Sequence, residues 1–148
     1  MTFDFMNTPE ALSAFPVVTP IAVRWSDMDA GLIVNNVHYL RWLEIARTEL
    51  LEQAGVSDFT GQIERVGVVV GKVMCTYIAP LNYPDTVLVG SRVKEIGEDR
   101  FVIENAIFSQ KQQRLAAVGE VRLVAFDLRD MKKAPIPDFL RKGLPDFC

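Results

Sequence analysis

The sequence predicts an α+β fold in which one long helix packs against an antiparallel sheet of five strands. From Val34 to Ala54, apolar residues recur every three or four positions, which is the period of a helix with one buried face. The segment 65–128 is rich in β-branched and aromatic residues and is interrupted by turn-forming residues, as expected for consecutive strands. One further strand-like run precedes the helix. These three observations favour a helix that covers one face of the sheet.

The predicted elements follow a tail at 1–16 and form one domain at 17–148. The first strand is VVTPIAVRW, and the helix has about five turns and stops at Gly55. Short connections predict that the other four strands form an antiparallel meander; these strands are 66–79, 86–96, 100–110 and 115–128. The C-terminal DFLRKGL segment allows at most one short helix.

Composition narrows the class of protein. A chain of 148 residues with 49% hydrophobic residues can bury one core, and a net charge of −3 without a basic stripe disfavours nucleic acid as a partner. Cys75 and Cys148 lie far apart, which is not a disulfide framework. The acidic N-terminus is unlike a secretory signal, and no run is long enough for a membrane span. We therefore expect a cytoplasmic protein.

The apolar VGVVVG strand predicts that a partner subunit covers it. We therefore expect a homodimer or a homotetramer.

Several familiar site motifs are absent or incomplete. GVVVGK is one residue too short for a phosphate-binding loop and reads as a strand, with Gly67 and Gly71 marking a bend or a close approach. The Asp27-x-Asp29 pair lacks the later ligands of a calcium loop, and a single histidine, His38, makes a transition-metal site improbable. His38 is instead expected on the helix surface. No serine lies in a GxSxG motif, which disfavours a conventional serine hydrolase.

The polar residues between the first strand and the helix have two interpretations. In the structural one, Asn35 caps the helix while Asp27 and Asp29 bind the backbone of a turn. In the functional one, a carboxylate just ahead of the helix faces the unpaired N–H groups and positive dipole end of its first turn. An acyl oxygen that gains negative charge could bind at the same place.

The run VRWSDMDAGLIVNNVHYLRWLEIAR resembles the first motif of the hotdog-fold acyl-CoA thioesterases, the family of 4-hydroxybenzoyl-CoA thioesterase. The likeness extends through TYIAPLNYPDTVLVGSRVKEIG and GEVRLVAFDL. It implies a five-stranded antiparallel sheet wrapped around one long central helix, and hydrolysis of an acyl-CoA to a free acid and coenzyme A. It implies no cofactor beyond the coenzyme A of the substrate, and a site at a dimer interface.

The resemblance also implies roles for individual residues. Asp29 matches the catalytic carboxylate, which attacks the thioester carbonyl or activates water. The backbone N–H of Asn36 would polarise that carbonyl. The resemblance leaves the shaping of the turn to Asp27. The expected substrate-binding residues are Ile33, Val37 and Tyr39, and the cations expected to bind coenzyme A are Lys94 and Arg100.

Two departures from the family pattern keep alternatives open. Leu32 and Ile33 stand where many relatives have glycine and histidine, which favours a mechanism that uses the aspartate alone. The loop after the third strand reads Gly97-Glu98-Asp99, with few of the basic residues that bind nucleotide phosphates in the 4-hydroxybenzoyl enzyme. The thiol carrier could then be acyl carrier protein. Two further alternatives are a hotdog protein that binds acyl thioesters without cleaving them and a hydratase or dehydratase, which would need an acid-base pair that includes histidine.

Overall fold

The computed structural model describes residues 8–56 and 66–148 and has the predicted α+β architecture. In chain order, the long elements are β1 (Val17–Ala22), α1 (Asn36–Gln53), β2 (Val66–Tyr77), β3 (Thr86–Ile96), β4 (Arg100–Ser109) and β5 (Arg114–Asp127). The two-residue β6 (Lys132–Lys133) and the short α2 (Asp138–Gly143) follow. Within these described ranges, no helix combines the length and apolar character that a bilayer crossing requires.

The strands pair in the order β1-β3-β4-β5-β2, all antiparallel, with β6 added to β5. The predicted meander is therefore correct for β3 to β5 and wrong for β2, which pairs with β5 instead of β3. The connection at 78–85 passes the start of α1, where the Val34 N–H donates to the Leu81 carbonyl. It thus joins β2 and β3, which are not neighbours in the sheet. The short β3–β4 and β4–β5 links, by contrast, form hairpins between neighbouring strands.

Helix α1 begins and ends where the sequence predicts. Asn35 is the N-cap, since its side-chain oxygen accepts a hydrogen bond from the Val37 N–H at 3.1 Å. At the other end, Gly55 has a φ of 112°, a conformation that favours glycine and ends the helix. The face that α1 buries against the sheet consists of Tyr39, Trp42, Leu43, Ala46, Leu50 and Leu51.

We expect Asn35→Ala to lower the free energy of unfolding by about 1 kcal/mol, because alanine cannot accept the Val37 N–H. Asn35→Asp restores an acceptor and should recover most of the loss. Chemical denaturation followed by circular dichroism measures both variants. Equal stability of Asn35→Ala and the parent chain would contradict the capping assignment.

The first strand is shorter than predicted. It ends at Ala22, and Trp25–Asp27 forms a single turn of 3-10 helix. The turn is stabilised by Asp27, whose carboxylate accepts the Arg24 N–H at 2.8 Å. A side-chain cap of this kind competes with continued strand pairing, which explains the early end of β1.

The core lies on both faces of the sheet. On the inner face, α1 packs over two apolar clusters, one near its start with Val87 and Ile107 and one near its end with Phe101. On the outer face, Leu12 is fully buried with Phe108. The predicted tail at 1–16 thus includes a segment that packs on the sheet. Gly71 lies at a β-bulge in β2, as its expected role in a bend requires.

Candidate active site

The segment before α1 folds back on itself as a small hairpin. The Asn35 N–H donates to the Asp27 carbonyl at 2.9 Å, Met28 pairs with Val34, and the Asp29 N–H donates to the Ile33 carbonyl at 3.0 Å. This pairing returns the chain from Asp29 to the helix within a few residues. Asp29 is therefore held at the closed end of a hairpin whose open end leads directly into the first turn of α1.

Asp27 is buried and stabilises the base of this hairpin. One carboxylate oxygen accepts the Arg24 N–H, and the other lies 3.5 Å from Nδ1 of His38. His38 lies at the helix surface with about a third of its side chain exposed, and its ring also contacts this carboxylate across the hairpin. In the part of the chain that the structure describes, no three His, Cys, Asp or Glu side chains come together as metal ligands.

Asp29 has a different environment from Asp27. Its side chain is exposed, and Oδ1 accepts the Gly31 N–H at 2.8 Å in a tight turn. Among the described residues, Oδ2 has no hydrogen-bond donor. The structural interpretation of the sequence is therefore confirmed for Asn35, Asp27 and Asp29 alike, yet Asp29 keeps one carboxylate oxygen available to solvent or to a ligand.

The first turn of α1 presents one open N–H group. The Val37 N–H is taken by the Asn35 side chain and the His38 N–H by the Asn35 carbonyl, at 3.1 and 3.0 Å. The Asn36 N–H has no acceptor within the described ranges, as is usual at the first position of a helix. Asn35 thus accepts the N–H groups of Val37 and His38 and leaves the Asn36 N–H free to bind an oxygen of a ligand.

Two tyrosines attach this turn to the end of β2. The Tyr77 hydroxyl donates to the Asn36 carbonyl at 3.2 Å, and the Tyr39 hydroxyl donates to the Ala79 carbonyl at 3.4 Å. Their rings meet edge to face with centroids 5.0 Å apart. Burial raises the pKa of Tyr39 to about 12 and also raises the pKa of Tyr77. Both phenols therefore keep their protons at neutral pH and can donate.

The predicted substrate-binding residues are not all in the same environment. Ile33 and Val37 are 43% and 57% exposed, and they precede and follow the Asn35-Asn36 pair in the chain; we call these two exposed side chains the apolar rim. Tyr39 is only 3% exposed and belongs to the core. Leu32 has a φ of 59°, a left-handed conformation that glycine adopts without strain and that leucine rarely adopts.

Of the two predicted coenzyme A cations, Arg100 lies at the end of the sheet away from the start of α1, and Lys94 binds Glu120 in the middle of β5. Arg100 adjoins Phe101, which packs near the end of α1, about 27 Å along the helix from Asn36. Each cation is also paired: Arg100 with Asp99 at 2.8 Å, and Lys94 with Glu120. Those hydrogen bonds raise the pKa values of Lys94 and Arg100. A single chain does not bring these cations beside Asp29.

Local sequence patterns gave no signal for the Tyr77 and His38 contacts. Tyr77 is 41 positions from Asn36, and helical or strand periodicity says nothing about contacts at that separation. His38 meets Asp27 only because the hairpin reverses the chain. The clue available in the sequence is the residue type. A tyrosine whose ring packs against other side chains usually needs a hydrogen-bond partner for its hydroxyl group.

Comparisons with known proteins show the family to which the chain belongs. Residues 23–144 match the model of the thioesterase-like superfamily. The acyl-CoA thioester hydrolase YbgC of Escherichia coli is 30% identical over 118 residues, which cover 80% of this chain and 87% of YbgC. The 1,4-dihydroxy-2-naphthoyl-CoA hydrolase of Synechococcus is 29% identical, with 82% and 85% covered.

Solved structures show the same fold. The PA5185 protein of Pseudomonas aeruginosa superposes with a TM-score of 0.81 at 31% identity, over 92% of this chain and 94% of that protein. Slr0204 of Synechocystis, a 1,4-dihydroxy-2-naphthoyl-CoA thioesterase, has the same fold, with a TM-score of 0.80 over 88% and 96% of the two chains at 20% identity. The chain belongs to the thioesterase-like superfamily and has its hotdog fold.

Proposed function

We propose that the chain is an acyl-CoA thioesterase in which the Asp29 carboxylate and the Asn36 N–H act on the two atoms of one thioester carbonyl. The observation that carries this proposal is the first turn of α1, where Asn35 occupies the neighbouring N–H groups and leaves that of Asn36 open. An oxygen bound there gains from the hydrogen bond and from the positive end of the helix dipole. The names of the two curated relatives support thioester hydrolysis.

The Asn36 N–H assists cleavage because the carbonyl oxygen becomes negative when its carbon is attacked. In one route, an Asp29 oxygen attacks the carbon, the C–S bond breaks to release the coenzyme A thiolate, and water then cleaves the mixed anhydride. In the other, Asp29 takes a proton from water, the resulting hydroxide attacks the same carbon, and the C–S bond then breaks so that the coenzyme A thiolate leaves and takes up the proton. Both routes consume one water and yield a carboxylic acid and the coenzyme A thiol.

The apolar rim supplies a place for the acyl group. Ile33 and Val37 expose hydrocarbon next to the Asn36 N–H, so an acyl chain that leads away from the bound carbonyl would contact them. Tyr39 would support this surface from beneath through its contact with Tyr77. No metal or separate cofactor is needed for either route, and coenzyme A enters only as part of the substrate.

A second subunit would complete this site. Among the described residues, strand β2 pairs with β5 and with no other strand, and the apolar side chains exposed along it are Val69, Val70, Val73, Met74 and Tyr77. Twofold pairing of β2 with its copy would place the start of the partner strand beside the end of this one. The Arg100 end of the partner sheet would then approach Asp29, and Arg100 could exchange its carboxylate partner for a coenzyme A phosphate.

The test is release of free thiol from a panel of acyl-CoAs with short, long and aromatic acyl groups, and from matching acyl carrier protein thioesters. Cys75 and Cys148 are blocked beforehand to lower the background. Turnover of at least one acyl-CoA is expected. If only the carrier-protein thioesters are cleaved, the thiol carrier of the substrate is acyl carrier protein and not coenzyme A. Saturable acyl-CoA binding without thiol release would instead show a binding protein.

We expect Val73→Lys to convert the dimer to monomer and to lower thiol release, because it places a charge in the apolar surface of β2. Val118→Lys is the matched control, since Val118 is also exposed but lies on β5, away from the free edge. Sedimentation velocity measures the oligomeric state. A Val73→Lys chain that remains dimeric and fully active would contradict the proposed interface.

A further inference from the structure

We propose that Tyr77 is a positioning residue for thioester hydrolysis, which fixes the Asn36 N–H through a hydrogen bond to the carbonyl of the same residue. The inference rests on the proposed role of that N–H. Its direct observation is the 3.2 Å contact between the Tyr77 hydroxyl and the Asn36 carbonyl oxygen. Tyr77 itself need not touch the substrate to act in this way.

The hydrogen bond from Tyr77, which we call the anchor, acts at the end of α1 that is least restrained by the helix's own hydrogen bonds. The first residues of a helix lack intrahelical acceptors for their N–H groups, and helix ends fray. Asn35 binds the two N–H groups that follow Asn36, but neither bond holds Asn36 against the sheet. The Tyr77 hydroxyl supplies that link, because it belongs to a strand that is paired with β5 up to Tyr77 itself.

The Tyr77 ring is itself held in place. It stands nearly perpendicular to the Tyr39 ring, at an interplanar angle of 83°, and Tyr39 is fixed by its hydroxyl and by the Trp42 ring at 5.2 Å. Burial is also the main cause of the raised pKa of Tyr77, so the hydroxyl remains a donor at neutral pH. A rigid ring and a protonated hydroxyl together define the position of the Asn36 carbonyl.

Positional precision matters because an oxyanion donor stabilises charge only at hydrogen-bond distance from the developing oxygen. A displacement of about 1 Å can lower a catalytic rate by roughly a hundredfold. Loss of one anchor among several should shift the turn by less, so we expect a reduction of about tenfold in kcat. KM should change little, since the charge on the oxygen appears mainly in the transition state.

The experiment compares Tyr77→Phe with Tyr83→Phe by steady-state thiol release and thermal unfolding. Both tyrosines are about half exposed, at 45% and 47%, but only the Tyr77 hydroxyl has a hydrogen-bond partner within the described part of the chain. We expect Tyr77→Phe to lose about tenfold in kcat, and at least about fivefold, with nearly unchanged KM, and Tyr83→Phe to retain its kcat. A smaller loss of kcat, or a loss expressed mainly in KM, would overturn the proposal.

A rescue variant separates positioning from general damage. Site-specific 3-fluorotyrosine at position 77 restores the hydroxyl with little change in shape, and at mildly acidic pH it should recover most of the kcat lost in Tyr77→Phe. Failure to recover would also overturn the inference. If the parent chain hydrolyses thioesters and only the Tyr77 results fail, the proposed function stands without this residue. If the parent chain releases no thiol, both the proposed function and the proposed role of Tyr77 fail.

Discussion

Replacing Asp29 with asparagine is expected to lower kcat for acyl-CoA hydrolysis by about a thousandfold or more, because the amide is neither an effective nucleophile nor a base. The fold should survive, since the asparagine oxygen can still accept the Gly31 N–H that Asp29 binds. Thiol release under saturating substrate gives kcat, and circular dichroism with thermal unfolding checks the fold. Because Asp29 is exposed, its replacement buries no new group.

The matched control for this experiment is Asp27→Asn, two residues earlier. Asp27 is buried and is engaged by the Arg24 N–H and by His38, so its loss should act on the stability of the hairpin more than on the reaction. We expect a much smaller loss of kcat and a lower melting temperature. Comparable kcat losses in both variants would show that the pair acts through structure and would remove the special role of Asp29.

Among the glycines that the structure describes, Gly143 is the one at which substitution by alanine is expected to do the most damage. A Cβ at Gly143 would lie 2.0 Å from the carbonyl oxygen of Ala54, a backbone atom at the end of α1. The clash can be relieved only if α2 separates from α1, which would disturb the burial of Leu140 and Leu144 beneath it. We expect a loss of about 3 kcal/mol in the free energy of unfolding, measured by urea denaturation.

Gly67→Ala is the control for that prediction. A Cβ at Gly67 would lie 3.2 Å from a methyl group of Leu128, an exposed side chain that can move aside. Its cost should be well under that of Gly143→Ala. If the two variants were equally stable, the close contact between Gly143 of α2 and the end of α1 would be contradicted.

The parts of the fold that were predictable from the sequence depend on local interactions. The bounds of α1 follow from the apolar period and from the chemistry of its ends, where Asn35 binds an N–H and Gly55 takes a positive φ. The strands from β3 to β5 follow from β-rich runs separated by short turns. Each of these signals lies within a few residues of the feature it predicts.

The features that were not predictable involve residues distant in the chain. The pairing of β2 with β5 is decided by the whole sheet, and an eight-residue link permits a hairpin as readily as a crossing. The site has the same division. Asp29 and Asn36 are close to the helix start and could be proposed as a pair from the sequence, whereas the contacts of Asn36 with Tyr77 and of Asp27 with His38 require the folded chain.

The central claim is that one thioester carbonyl binds between the Asp29 carboxylate and the Asn36 N–H. The most direct measurement is a crystal structure with an acyl-CoA analogue in which a methylene group separates the carbonyl from the sulfur, so that it cannot be hydrolysed. We predict that the carbonyl oxygen lies about 3 Å from the Asn36 nitrogen and that an Asp29 oxygen lies about 3 to 3.5 Å from the carbonyl carbon. An analogue bound with its carbonyl away from the first turn of α1 would contradict the proposed mechanism.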